Sequence, residues 1–193
     1  MKKEKLNIEG LILIIPDIYR DERGIFIETY HKEKYKKILP VETNFVQDNM
    51  SFSTYGVIRG LHYQKAPYSQ AKLVRCIMGC ILDVSVDIRP KSSTYGRYCK
   101  IILSENNQYQ LFVPKGFAHG FSVLSEKAIV EYKCDEFYHK ECESGINYND
   151  PYLSIDWEIN NGNIIVSEKD SKLPFISNNL RRRSNDTCIY TLS

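Results

Sequence analysis

Apolar and polar residues alternate strictly from Leu82 to Arg89. A repeat of two residues is typical of a β-strand that buries one face and exposes the other, so this segment predicts a half-buried strand that ends at Pro90. Turns rich in Gly, Pro, Asn and Asp separate further short apolar runs, a spacing typical of an all-β sandwich or barrel. Strands are predicted over 10–16, 25–30, 57–64, 72–78, 98–104, 109–113, 117–124, 127–133 and 163–166.

Helical patterns are short and local. They predict a turn or two of helix over 31–39, and one more at Asp150-Pro151 or over 168–173. The 193-residue chain contains no internal repeat, no low-complexity segment and no linker that would divide it. We therefore predict one domain over residues 1–176, followed by a C-terminal tail, 177–193, to which no function is assigned.

Composition and charge fit a soluble globular protein, with 42% apolar and 26% charged residues,. A net charge of +2 gives no reason to expect a nucleic-acid partner, and the basic run Arg181–Arg183 is interpreted as a solvated tail or a subunit contact. Glu9, Gly10 and Pro16 interrupt the N-terminal apolar run, which is too short to span a membrane and lacks a signal-peptide cleavage site. We expect a cytoplasmic protein with no membrane partner.

The alternation also places polar side chains on predicted core faces. Lys72 lies two residues from Val74, and Tyr132 lies two residues from Val130, so each has the parity of its apolar neighbour, which means that the two lie on the same face of the strand,. Both polar side chains are therefore expected to point into the barrel. A lysine inside a small barrel is costly unless another group pairs with it. Both residues are therefore candidates for a functional site.

One predicted strand has an unusual density of polar residues and glycines. In the sequence GVIRGLHYQ, His62 and Gln64 share a face with Ile58, whereas Arg59 has the opposite parity. Two interpretations stay open for Arg59. Either Gly60 allows a β-bulge that turns the arginine side chain to the other face, or Arg59 serves a different surface.

Two histidine motifs resemble those of cupin jelly-roll barrels. Gly56 precedes His62 in the first, and the segment VPKGFAHGF brings His119 directly after a tight turn in the second. Metal-binding cupins continue the first motif as His-x-His with a nearby glutamate, but Gln64 stands at the second histidine position here and no glutamate follows before Glu105. Two imidazoles are too few for the three or four protein ligands of such a site, so we predict no metal.

Longer segments make the resemblance more specific. From about residue 8 to residue 176, the chain resembles the dTDP-4-dehydrorhamnose 3,5-epimerase family in the order and spacing of its motifs. Chance similarity of isolated motifs does not produce such an ordered series. The resemblance implies an all-β fold, a cupin-like jelly-roll β-barrel with a few short helices. It is carried by RDERGIFIETY (20–30), FVQDNMSFSTYGVIRGLHYQ (45–64), QAKLVRCIMGCILDVSVDIRPKSSTYG (70–96), QLFVPKGFAHGFSVLS (110–125), EYKCDEFYHKECESGINYNDP (131–151) and SEKDSKLP (167–174).

The resemblance implies a reaction that inverts C3 and C5, on either side of the 4-keto group of dTDP-4-dehydro-6-deoxyglucose. Such a reaction needs a base, a partner for the enolate oxygen and an acid on the opposite face, and it needs no cofactor. By the matched motifs, His62 is the base and Asp170 orients its imidazole. Lys72 lies by the keto oxygen, and Tyr132 is the proton donor on the other face.

The resemblance also implies which residues hold the substrate. Arg23, Arg59 and Lys169 match positions that contact the nucleotide sugar, and arginine suits diphosphate oxygens through bidentate hydrogen bonds. Tyr138 matches the aromatic residue that stacks on thymine. The other family binding positions fall on Glu28, Gln47, Asp48, Asn49, His119 and Glu143. A homodimer is implied as well, with N-terminal strands that cross to the partner and some binding residues contributed across the interface.

Several alternatives stay open on the sequence alone. The same residues would serve an epimerase that inverts only C3 or only C5, or an enzyme that acts on a GDP- or UDP-linked keto sugar, because a flat ring such as Tyr138 stacks on any base. A remoter alternative is a non-catalytic or metal-dependent cupin. Asp170 also follows Ser167 at the spacing of a helix cap, and Asp48 and Glu143 have a structural interpretation as partners of loop backbone.

Overall fold

The computed structural model describes residues 1–176 and the strand Cys188–Tyr190, and β-strands dominate this part of the chain. The helices are α1 (Lys32–Tyr35) and α2 (Glu168–Ser171), with 3-10 turns at Lys140–Cys142 and Asn161–Asn163. The strands are β1 (Lys2–Lys5), β2 (Ile12–Ile15), β3 (Ile18–Asp21), β4 (Gly24–Ile27), β5 (Gln47–Thr54), β6 (Ile58–Gln64), β7 (Lys72–Met78), β8 (Cys80–Asp87), β9 (Tyr98–Ser104), β10 (Gln110–Val113), β11 (Phe117–Val123), β12 (Lys127–Cys134), β13 (Glu143–Gly145) and β14 (Cys188–Tyr190).

Two six-stranded sheets pack face to face. Their strand orders are β1-β2-β10-β7-β12-β5 and β13-β6-β11-β8-β9-β14, and β3 and β4 form a separate hairpin. Apolar side chains from both sheets form one core between them, with Leu13, Val74 and Val130 from the first sheet and Ile101 and Phe121 from the second. Removal of this apolar surface from water is the dominant favourable term in folding. The predicted all-β, cupin-like jelly-roll fold is confirmed.

Strand β8 differs from the half-buried strand that its alternation predicts. Val84 and its even-numbered neighbours pack outward against Leu153 and Trp157, which belong to a segment that covers the outer face of the second sheet. The odd-numbered positions face the barrel interior, where Asp83 is 0% exposed. The prediction of a solvent face was wrong because the covering segment lies far along the chain, where the alternation of β8 carries no sign of it.

Most predicted strands are present within a few residues of their expected bounds. The predicted strand 163–166 contains only an isolated bridge to Val57, whereas the patterns missed β1, β3, β5, β13 and β14. β5 was missed because its apolar side chains Met50 and Phe52 lie on its outward face and are 69% and 54% exposed. Helices α1 and α2 lie in predicted segments, and Asp150-Pro151 forms a turn.

The C-terminal tail contributes β14, which pairs in parallel with β9 at the edge of the second sheet. The basic run Arg181–Arg183 lies outside the described residues, and the division of the chain at residue 176 stays a prediction. Among the residues that the structure describes, no helix is both long and apolar enough to cross a membrane.

Candidate active site

A cavity lies between the two sheets. Its main lobe has a volume of about 650 Å³ and its side lobe about 240 Å³. Asn49, His62, Lys72 and Tyr132 line both lobes, so the lobes form one continuous site whose size suits a small-molecule ligand. Other predicted site residues in the main lobe are Arg59, His119, Lys169 and Asp170, and those in the side lobe are Gln47, Tyr138 and Glu143.

A β-bulge in β6 brings Arg59 and His62 to the same face. Gly60 has a φ of +117°, and a Cβ built there would lie 2.7 Å from the Cα of Gly120, so this close approach requires glycine. The pairing of β6 with β11 shifts register at this point. The predicted alternative of a bulge is therefore confirmed, and the prediction that His62 shares a face with Ile58 was wrong, because Ile58 packs in the outer core.

His62 and Asp170 form a hydrogen-bonded pair at the wall of the main lobe. The His62 Nε2 atom lies 2.7 Å from Asp170 Oδ1, and Asp170 Oδ2 accepts the backbone N–H of Gly60 at 3.1 Å. Burial alone would raise the pKa of Asp170, but the hydrogen bonds from His62 and from the Gly60 N–H hold this pKa below its ordinary value,. Ser167 caps α2 by accepting the Asp170 N–H, so the Asp170 carboxylate does not cap the helix and binds His62 and Gly60 instead.

Lys72 and Tyr132 lie on adjacent strands and point into the cavity, as their parity predicts. The Lys72 Nζ atom is 5.7 Å from the centre of the Tyr132 ring. Burial lowers the pKa of Lys72, against the opposing effect of nearby acidic groups, and burial raises the pKa of Tyr132. Desolvation disfavours the charged form of each group, so the lysine loses its proton more readily than usual and the tyrosine holds its proton more tightly.

A second imidazole–carboxylate pair lies deeper in the barrel. His119 Nε2 is 2.8 Å from Asp83 Oδ2, and Asp83 Oδ1 is buried without a hydrogen-bond partner among the described residues. Sequence reasoning missed Asp83 because it assigned this face of β8 to solvent. The sequence did contain a signal of this inward position, because Asp83 lies two residues after the apolar Ile81 and therefore on the same face of the strand. No three His, Cys, Asp or Glu side chains in the described part of the chain are placed to hold a metal ion.

Glu143 links two of the predicted binding residues at the side lobe. Its Oε2 atom accepts a hydrogen bond from the Tyr138 hydroxyl at 2.8 Å and lies 2.6 Å from Lys169 Nζ. Burial alone would raise the pKa of Glu143, but these two hydrogen bonds hold it below its ordinary value. Glu143 is therefore an anion that orients Tyr138 and Lys169. Its partners are side chains of predicted binding residues, and not the loop backbone of the structural interpretation.

Arg59 lines the cavity of its own chain. Its Nε atom donates to Ser53 Oγ at 3.0 Å, and this bond fixes the direction of the guanidinium. The side chains of Arg23, Glu28 and Asp48 do not line the cavity. Arg23 is 84% exposed and pairs with Asp21, Glu28 pairs with Lys34, and Asp48 lies on the outward face of β5, where it pairs with Lys133.

Comparison with known proteins shows the family of this chain. The family model described as dTDP-4-dehydrorhamnose 3,5-epimerase matches residues 5–178. The chain belongs to this family. It is 48% identical over 167 residues to the dTDP-4-dehydrorhamnose 3,5-epimerase of Methanothermobacter thermautotrophicus, with 86% of this chain and 89% of the relative covered. It is 44% identical over 169 residues to the enzyme of that name from Escherichia coli, with 88% and 91% covered.

A solved member of the family has the same fold. The crystal structure of dTDP-6-deoxy-D-glucose-3,5-epimerase from Legionella pneumophila, in complex with dTDP-4-keto-L-rhamnose, superposes with a TM-score of 0.87 at 45% identity. The match covers 90% of this chain and 92% of that one. Membership of the 3,5-epimerase family confirms the predicted enzyme class, an isomerase, and the predicted reaction, epimerisation at C3 and C5 of a nucleotide-linked keto sugar.

Proposed function

We propose that this epimerase converts dTDP-4-dehydro-6-deoxyglucose into dTDP-4-dehydrorhamnose through an enolate formed by proton abstraction at C3 and C5. The observation that carries the proposal is the His62–Asp170 pair, 2.7 Å apart, at a cavity that Lys72 and Tyr132 also line. The test is incubation of the purified protein with this substrate and identification of the sugar by NMR. Inversion at both centres is expected, and an unchanged sugar would contradict the proposal.

His62 acts as the base in this mechanism. A neutral imidazole that donates its Nε2 proton to Asp170 carries its lone pair on Nδ1, and Nδ1 then accepts the proton from the sugar carbon. The carboxylate of Asp170 stabilises the imidazolium that forms, without taking the proton itself. The lowered pKa of Asp170 supports this role, because it keeps the carboxylate ionised at neutral pH.

Lys72 stabilises the enolate. Negative charge develops on the keto oxygen as the proton leaves carbon, and a fixed cation in a site shielded from water stabilises that charge strongly. The inward position of Lys72 on β7, next to Tyr132, supports this assignment. Because the charge appears only during the reaction, the lysine favours the transition state over the bound ketone.

Tyr132→Phe tests whether the tyrosine delivers the proton on the opposite face. We expect product formation to fall about 100-fold, while exchange of the C3 proton with deuterated solvent continues. His62 would still form the enolate and would return a solvent-derived proton to the face from which it took one. NMR of the recovered sugar distinguishes exchange with retention from inversion. Equal losses of exchange and inversion would show that Tyr132 does not act as a separate acid.

The nucleotide is held by groups around both lobes. We assign the diphosphate to Arg59 and Lys169, which are the cations of the main lobe besides Lys72, and the thymine ring to Tyr138 at the side lobe. Asn49, Gln47 and His119 supply polar contacts around the cavity. The dTDP-4-keto-L-rhamnose bound to the Legionella relative supports a thymidine nucleotide as the carrier.

We infer that the working form is a homodimer. Arg23 lies in the turn of the β3–β4 hairpin, outside the cavity of its own chain, and the same hairpin carries Tyr19 and Phe26, which are 61% and 70% exposed. β5 forms the edge of the first sheet and exposes Met50. An exposed apolar hairpin and an exposed apolar edge strand support a dimer in which the hairpin of one protomer packs near β5 of the other. Arg23 and Glu28 would then complete the partner's site.

A complementation experiment tests this exchange of residues. Arg23→Ala and His62→Ala homodimers are each expected to be weakly active, since every site lacks one essential group. After co-expression, activity should recover to about one quarter of wild type, because half of the dimers are hybrids and each hybrid has one complete site. A co-expressed sample no more active than the average of the two separate variants would show that Arg23 does not act across an interface.

A further inference from the structure

Gln64 ends strand β6 and is 6% exposed. Its amide nitrogen donates to the carbonyl oxygens of Tyr68 and Phe137 at 2.7 and 3.1 Å, and its amide oxygen accepts the backbone N–H of His139 at 2.6 Å. Both donor hydrogens and the acceptor are therefore used within the protein. The position at which the cupin motif carries a second histidine is occupied here by a side chain that binds backbone.

Two of these contacts fall on either side of Tyr138. Phe137 and His139 are its chain neighbours, so one amide holds the backbone immediately before and immediately after the ring that we assign to thymine. The side chain of Gln47 accepts the N–H of Tyr138 itself at 3.0 Å. This stretch lies between β12 and the 3-10 turn Lys140–Cys142, and a connecting segment of this kind is mobile unless such bonds fix it.

The ring of Tyr138 obtains little orientation from packing, because the residue is 51% exposed. Glu143 holds the hydroxyl at the end of the ring, and the backbone that carries the ring is supported by the second loop that Gln64 binds. Tyr68, in that loop, stacks on the His139 ring with 3.6 Å between ring centres and 12° between planes. Gln64 thus joins both loops. Its side chain also lines the side lobe, but all three of its hydrogen bonds go to backbone, so it acts on Tyr138 through the chain on each side of that residue.

We propose that Gln64 is a positioning residue that fixes the backbone around Tyr138, so that the ring is set for the nucleotide base before substrate binds. The proposal rests on the stacking role of Tyr138 proposed above. A ring that is already in place loses less conformational freedom on binding than one in a mobile loop. Gln64 therefore contributes to affinity for the base and leaves proton abstraction by His62 unaffected.

The hydrogen-bond pattern also explains why the residue is glutamine. An amide offers two donors and an acceptor on one planar group. Gln64→Glu keeps the shape but sets a carboxylate oxygen against the carbonyls of Tyr68 and Phe137. Gln64→Leu removes all three bonds and leaves the backbone groups of Tyr68, Phe137 and His139 without this side-chain partner. Both substitutions are expected to free the backbone on each side of Tyr138.

Calorimetric titration with dTDP and with inorganic pyrophosphate tests the proposal. For both Gln64→Leu and Gln64→Glu, we expect the Kd for dTDP to rise about tenfold, with the Kd for pyrophosphate unchanged because pyrophosphate has no base. In steady-state kinetics KM should rise while kcat stays within about threefold. The matched control is Thr94→Val, which removes a buried hydrogen bond to Asp87 away from the cavity and should change neither Kd.

A double-mutant cycle with Tyr138→Ala separates the two proposals. If Gln64 acts through Tyr138, then Gln64→Leu should add nothing to the loss of dTDP affinity in the Tyr138→Ala background. A full additional loss in that background, or unchanged dTDP affinity in both Gln64 variants, would overturn the role of Gln64 while leaving the stacking role intact. Unchanged dTDP affinity in Tyr138→Ala would overturn the stacking role first, and the inference with it.

Discussion

Replacing His62 with alanine is expected to lower kcat for epimerisation by about 10⁴-fold and to abolish deuterium exchange at both C3 and C5. The reason is that His62, held by Asp170 at 2.7 Å, is the group assigned to remove the proton from carbon. Binding of dTDP should be nearly unchanged, because the groups assigned to the diphosphate and the base are other residues. NMR in deuterated water measures exchange, and calorimetry measures binding.

The control for this variant is His31→Ala. His31 is an exposed residue that precedes α1 and gives that helix no side-chain cap, so its loss should leave exchange and kcat unchanged. Added imidazole offers a second check, since a free base that enters the space left by His62 should restore part of the exchange. Substantial exchange in His62→Ala without added imidazole would mean that another group is the base.

Replacing Lys72 with methionine is expected to lower kcat by about 10³-fold with a much smaller change in KM. The cation is needed as the enolate oxygen gains charge, whereas the bound ketone is neutral. Methionine keeps much of the length of the lysine side chain, so the cavity should retain its shape. Steady-state kinetics with the keto sugar measures both constants.

Lys100→Met is the matched control for Lys72→Met. Lys100 is also a buried lysine, at 4% exposure, but it lies on the outer face of the second sheet, where it pairs with Glu158. Its loss should reduce thermal stability and leave kcat unchanged, because the pair is remote from the cavity. Similar losses of kcat in both variants would show that Lys72 acts through stability and not at the enolate.

The pH dependence of the reaction follows from the same lysine. Burial lowers the pKa of Lys72, and the active form is the cation, so kcat should fall as pH rises through a value below that of an ordinary lysine. Burial raises the pKa of Tyr132, so the proton donor stays protonated over this range. In Lys72→Arg the cation persists, and the alkaline fall should move to higher pH. An unmoved alkaline limb would assign it to another group.

Local sequence patterns predict the barrel and the inward direction of two site residues, whereas the roles of His62 and Asp170 come from the family resemblance. Parity alone directs Lys72 and Tyr132 inward, and the structure confirms both directions. Parity fails at β6, where the bulge at Gly60 moves Arg59 and His62 to one face. A strict alternation cannot represent an inserted residue, so the sequence leaves two interpretations for Arg59 and only the sheet pairing decides between them.

Other features depend on parts of the molecule that a local pattern does not contain. Asp83 was assigned to solvent because the segment with Leu153 and Trp157, which covers the outer face of β8, lies some 70 residues later in the chain. Arg23 could be matched to a binding position only by resemblance, since it lies outside the cavity of its own chain. The amide contacts of Gln64 join loops that are distant in sequence, so no spacing of residues predicts them.

The most direct test of the central claim is proton NMR of the purified wild-type protein with dTDP-4-keto-6-deoxyglucose in deuterated water, without added metal or cofactor. We expect the product to have inverted configuration at C3 and C5 and to carry solvent deuterium at both carbons, because each inversion passes through an enolate. An inverted product that retains its original protons at C3 and C5 would contradict proton abstraction by His62 and the mechanism built on it.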